Sequence, residues 1–102
     1  MLRIEPTLLS EIVAKVTSIV SPDKILIFGS QVRTDAARSS DIDIALFGVP
    51  QSAINSIKGI LNEDIKTLRD IDVVAFESIT NERMKEQILK QGVVIYERSP
   101  LR

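Results

Sequence analysis

The 102-residue sequence predicts an α/β (α+β) layered domain, with helices covering a sheet of about four strands. Three segments carry apolar residues at helical spacing, and four short runs are apolar or alternate in period two. The two periodicities interleave along the chain, with Gly and Pro marking many of the boundaries. At this length there is room for one compact domain, expected to span residues 1–102, and not for two.

The first helix is expected over residues 7–20, where Leu8, Leu9, Ile12, Val13, Val16, Ile19 and Val20 form a helical repeat with one apolar face. Pro6 precedes it and Pro22 follows, both outside the interior where proline is poorly tolerated. Ile25 to Phe28 reads as an inner strand stopped by Gly29, and residues 30–37 as a short helix or an irregular turn. The next strand, Asp41 to Phe47, alternates: Asp41, Asp43, Ala45 and Phe47 point one way, Ile42, Ile44 and Leu46 the other.

Over residues 51–68 a helical stripe is expected from Ile54, Ile57, Leu61, Ile65 and Leu68, ending near residue 67. A third strand from Ile71 to Phe76 places Asp72, Val74 and Phe76 on one side. A helix from Asn81 to Gln91 is stopped by Gly92, read as a left-handed residue after the helix end. Val93 to Glu97 forms the last strand, before a polar tail containing Pro100.

Composition narrows the chemistry. The absence of cysteine removes disulfides and thiolate metal sites, and the absence of histidine removes the commonest general base and zinc ligand. A net charge of −1 with dispersed basic residues disfavours extended nucleic-acid binding. No apolar stretch approaches 18 residues and no secretion signal is visible, so a cytoplasmic protein without a membrane span is expected.

The groups left to do chemistry are carboxylates, hydroxyls, Lys, Arg and the backbone, and two of the carboxylates share a distinctive spacing. Asp41 and Asp43 share a strand face, about 6.6 to 6.8 Å apart at the backbone, so both can lean toward one cation or a pair of cations. Like charges in a partly dry site oppose joint ionisation, a difficulty that Mg²⁺ removes. Asp72 enters a separate strand with the same pattern, IDVV echoing IDIA, and is the natural third carboxylate. Gly29 permits close backbone approach to a ligand, and Ser30 could direct its hydroxyl and N–H at an anion.

Gly29-Ser30, ten intervening residues and Asp41-Ile42-Asp43 resemble the GSx10DxD signature of the minimal nucleotidyltransferases, relatives of DNA polymerase β. The likeness extends over about residues 8–97, through ILIFGS, SDIDIAL, IDVV and VVIYE. It implies a nucleotidyltransferase fold with a mixed sheet. Gly29 and Ser30 would hold a triphosphate, Asp41 and Asp43 would bind Mg²⁺, and Asp72 would complete the carboxylate set.

Arg33 matches an arginine often found after the Gly-Ser pair and is a candidate for phosphate contact, as is Arg38, while Thr34 replaces a frequent glycine. The implied reaction is two-ion, Mg²⁺-dependent transfer of AMP from ATP to a hydroxyl. Asp72 would serve the second ion and the hydroxyl proton, with Asp70 as its alternative. Lys24, Lys58 and Lys66 read as solvated charges.

The resemblance further implies an antitoxin working with a HEPN ribonuclease toxin in a hetero-oligomer, adenylylating that partner. A non-catalytic antitoxin that blocks by binding, and an enzyme acting on a small hydroxylated compound, stand as the alternatives.

Overall fold

The computed structural model describes residues 4–29 and 41–98. Ser30, Arg33, Thr34, Arg38, the expected short helix or turn over 30–37 and the polar tail beyond Arg98 lie outside the described residues. The elements are α1 (Pro6–Ile19), β1 (Lys24–Phe28), β2 (Ile42–Phe47), α2 (Ile54–Asp64), β3 (Ile71–Ala75), α3 (Glu82–Gln91) and β4 (Val93–Glu97). Among the described residues, no helix is long and apolar enough to cross a membrane.

The sheet is mixed, in the order β3-β2-β1-β4. β1 runs antiparallel to both β2 and β4, whereas β2 and β3 are parallel. A parallel pair needs a crossover, and residues 48–70 supply it through α2. As a result the end of β1 and the beginnings of β2 and β3 meet at one margin of the sheet.

Alternation divides the side chains between two apolar layers. Ile25, Ile27, Ile42, Ile44, Ile71 and Val73 face α1 and α2, which add Leu8, Ile12 and Val16 from one helix and Ile54, Ile57 and Leu61 from the other. Leu26, Ala45 and Phe47 face the opposite way and are covered by Ile88 of α3. Phe47 stacks on Phe76 there with ring centroids 4.2 Å apart, at the end of β2 away from Asp43. Lys24, expected to be solvated, places its ammonium 4.7 Å from the Phe47 ring centroid.

Several boundaries depart from the sequence reading for tertiary reasons. Pro6 is the first helical residue of α1, where its missing N–H has no intrahelical partner to lose. In the expected 51–68 helix, residues 51–53 form a 3-10 turn and the α-helix stops at Asp64. Ile65 adopts φ −93° and ψ 123°, staying buried as the chain turns back toward β3. Leu68 is thereby rotated off the apolar stripe and is fully exposed, at 101%.

β3 ends at Ala75, and Phe76 opens a 3-10 turn. Gly92 is not left-handed: at φ −67° and ψ 149° it passes directly from α3 into β4. Space rather than φ calls for glycine here, since a Cβ would lie 2.8 Å from the Leu26 side chain and closer still to the Ile88 carbonyl. In β4 an irregularity opposite Ile25 and Leu26 lets the consecutive Ile95 and Tyr96 both pack on the α1/α2 layer.

Two leucines, one on each side of the α2 C-terminus, provide a direct test of this boundary. Leu61→Ala is expected to cost about 2 to 5 kcal/mol, whereas Leu68→Ser is expected to stay within about 0.5 kcal/mol of wild type. Urea unfolding of both variants measures the contrast, and a comparable loss at Leu68 would place it back in the core.

Candidate active site

The mixed topology aligns three strands at the margin where β2 begins. Asp43 stands opposite Phe28 of β1 on one side and opposite Asp72 of β3 on the other. Paired residues of neighbouring strands project to the same face, with strand axes about 4.8 Å apart, so Asp43 and Asp72 leave the sheet together. Asp41 lies one residue before β2 with the same parity as Asp43.

Main-chain and side-chain contacts hold this margin in place. The Ile42 N–H donates to the Asp70 carbonyl at 2.8 Å, tying the entry of β2 to that of β3. On the outer edge of β3, Asn62 of α2 donates from Nδ2 to the Ile71 carbonyl at 2.8 Å. Its Oδ1 accepts the Ile71 N–H at 2.9 Å, so one amide satisfies both groups that a further strand would have paired. The residue preceding Asp72 is therefore fixed from both sides.

Gly29 ends β1 at φ +78°, in the left-handed region that favours glycine. A Cβ there would sit 3.2 Å from Asp43 Cγ and collide with a carboxylate oxygen. The bend after β1 thus lies flush against Asp43, as close backbone approach to a site requires. Ser30 and Arg33, the other expected phosphate contacts, lie outside the described residues.

The electrostatics of the cluster are unfavourable in isolation. Asp43 is half-buried, and its carboxyl is raised above the ordinary 3.8, first by loss of solvation, then by the Asp72 charge and then by that of Asp41. Asp72 is exposed and its Oδ1 is 3.1 Å from the Lys58 ammonium of α2, with about half of each side chain open to solvent. The same Oδ1 accepts the Val73 N–H at 3.2 Å. Asp41, Lys58, Asn62, Asp70 and Asp72 line a cleft of about 360 Å³ beside β3.

This donor chemistry fits Mg²⁺: hard carboxylate oxygens, one of them pushed toward protonation by like charges that a divalent ion would balance. As positioned, no group of three acidic side chains among the described residues forms a ready coordination shell. Asp72 is instead engaged by Lys58.

Lys58, read from the sequence as a solvated charge, and Asn62, placed only off the apolar stripe, are the two residues to which sequence reasoning gave no part in the site. Their separation of four residues on α2 was the available signal, since it puts both on one side of the helix. Knowing which strand they reach required the crossover geometry.

Two measurements follow from this geometry. In metal-free buffer near neutral pH, Asp43→Asn is expected to be more stable than wild type. Below the unfolded-state value near 3.8, Asp43 is protonated in both states and imposes no penalty. As pH rises, the unfolded chain releases that proton first, so wild-type stability falls until pH passes the raised folded value. The difference in Tm between variant and wild type should therefore shrink on acidification, and an Asn variant less stable at pH 7 would contradict the charge analysis. For Gly29→Ala, left-handed strain of roughly 1 to 2 kcal/mol adds to the clash at Asp43, so calorimetry should show a lower Tm.

Comparisons with known proteins bear on the fold and the family. A toxin–antitoxin complex with AMP-PNP contains a chain 23% identical, with a TM-score of 0.73, over 88% of this chain and 73% of that one. The complex of tri-AMPylated Shewanella oneidensis HEPN toxin with MNT antitoxin gives 19% identity and a TM-score of 0.73, over 93% and 74%. An MntA–HepT toxin–antitoxin complex gives 19% and 0.71, over 92% and 74%. Among curated proteins none matches the chain. These structural likenesses establish the fold, and residues 8–101 match the family described as Polymerase beta, Nucleotidyltransferase. The chain belongs to that nucleotidyltransferase family.

Proposed function

We propose that the protein transfers AMP from ATP to a hydroxyl of a partner protein, a HEPN ribonuclease toxin, and serves as its Mg²⁺-dependent antitoxin. The observation that carries this reading is the alignment of Asp43 with Asp72, with Asp41 two residues away and Gly29 pressed against Asp43. The likeness to MNT antitoxin complexes, one with a tri-AMPylated HEPN toxin and one toxin–antitoxin structure with AMP-PNP, supports the choice of nucleotide and partner.

In this mechanism Asp41 and Asp43 would hold the ion that accompanies the triphosphate, and Asp72 would join them for a second. Bound Mg²⁺ would supply charge neutralisation around the α-phosphate and a lowered pKa for the acceptor hydroxyl. Gly29 would bring the backbone close to the phosphate tail, with Ser30 and Arg33 proposed to contact phosphate oxygens. The acceptor oxygen forms a bond to the α-phosphorus as the bond to the pyrophosphate oxygen breaks. Asp72 assists departure of the hydroxyl proton, and pyrophosphate leaves.

The test combines the purified protein, its HEPN partner, α-labelled ATP and Mg²⁺. The partner should acquire label, and Asp41→Asn or Asp43→Asn should reduce the rate by about a hundredfold or more, the scale expected when one electrostatic stabiliser of a transition state is removed. Toxin neutralisation that persists in these variants without label would instead assign inhibition to binding alone.

A further inference from the structure

We infer that Lys58 is a tethered counter-ion for Asp72 that competes with a divalent ion for the third carboxylate. The inference rests on the metal-dependent reading above and adds a residue that the GSx10DxD pattern does not contain.

Three observations support it. The Lys58 ammonium lies 3.1 Å from Asp72 Oδ1. Lys58 also lines the cleft shared by Asp41 and Asp72. The main chain just before Asp72 is fixed by the paired hydrogen bonds from Asn62, so the carboxylate changes partner by side-chain rotation and without strand movement. The Lys58 ammonium repels a divalent ion approaching the same carboxylate, so the two cations compete for Asp72. The pair therefore gives Asp72 a partner before metal arrives and competes with metal for it.

Since both side chains are about half exposed, the competition is modest. Exposed ion pairs contribute little, which translates into an effect of roughly two- to fivefold on metal affinity. Screening should reduce that effect as ionic strength rises.

The experiment titrates Mn²⁺ into the nucleotide-free protein and follows free Mn²⁺ by electron paramagnetic resonance. Lys58→Met keeps the apolar stem on a solvent-facing helix position and is expected to bind Mn²⁺ about two- to fivefold more tightly than wild type. Lys58→Arg keeps the charge and should remain near wild type. In the Asp72→Asn background, Lys58→Met should produce little further change, because the carboxylate under competition is gone.

Far-UV circular dichroism establishes that each variant is folded. Equal or weaker Mn²⁺ binding by a folded Lys58→Met, or an undiminished gain without Asp72, would overturn the counter-ion role while leaving the metal-dependent reading intact. Failure of both wild type and Lys58→Met to take up Mn²⁺ would overturn both.

Discussion

The site depends on one register, the row in which Phe28, Asp43 and Asp72 stand opposite one another across β1, β2 and β3. Had β2 slipped by one residue, Asp43 would point into the layer filled by Ile25, Ile27 and Ile44, and Ile42 would take its place on the open side. The apolar alternation of β2 forbids that slip: Ile42, Ile44 and Leu46 are fully buried under the helices. The hydrophobic effect thus fixes where the carboxylates emerge. Each buried aliphatic side chain contributes roughly 1.5 to 3 kcal/mol, more than like-charge repulsion at a solvent-open margin is worth.

The crossover then determines which residues can meet. Because β2 and β3 are parallel, their first residues share an end of the sheet, and because β1 is antiparallel to β2 its final residue reaches the same end. A carboxylate near the start of each parallel strand and a glycine after the antiparallel strand consequently converge. α2 has a second role: while Ile54, Ile57 and Leu61 cover one layer, Lys58 and Asn62 reach the edge of β3. Core packing and site construction are therefore coupled through a single helix.

Much of this was legible in the sequence because it rests on local period. The alternation in IDIALF and IDVVA identified both strands and the parity of their aspartates, and helical spacing identified the three helices. Features requiring knowledge of a distant element were not legible. Leu68 continues the stripe on paper, yet the return of the chain to β3 ends the helix first. Gly92 looked like a left-handed stop, but the close approach of Leu26 and the Ile88 carbonyl explains it. Lys58 looked solvated because nothing in its own neighbourhood reveals that Asp72 lies within 3.1 Å. Asp41, Asp43 and Asp72 could be nominated from pattern, whereas their engagement with other groups could not.

The open end of the carboxylate face also follows from how little apolar surface that layer contains. Ile88 and Met84 of α3 pack with Leu26, Ala45 and Phe47, and this smaller cluster is centred away from the strand entries. Extending α3 over Asp43 and Asp72 would bury ionised oxygen with no compensating apolar area, at a cost that charged groups impose in any dry environment. The fold therefore closes one face completely and the other only where its residues are apolar. Among the described residues, what remains uncovered is an acidic margin next to a glycine bend, the setting that the proposed binding of cations with a polyphosphate calls for. The same alternation that buries the isoleucines on one face sends Asp43 and Asp72 out of the other.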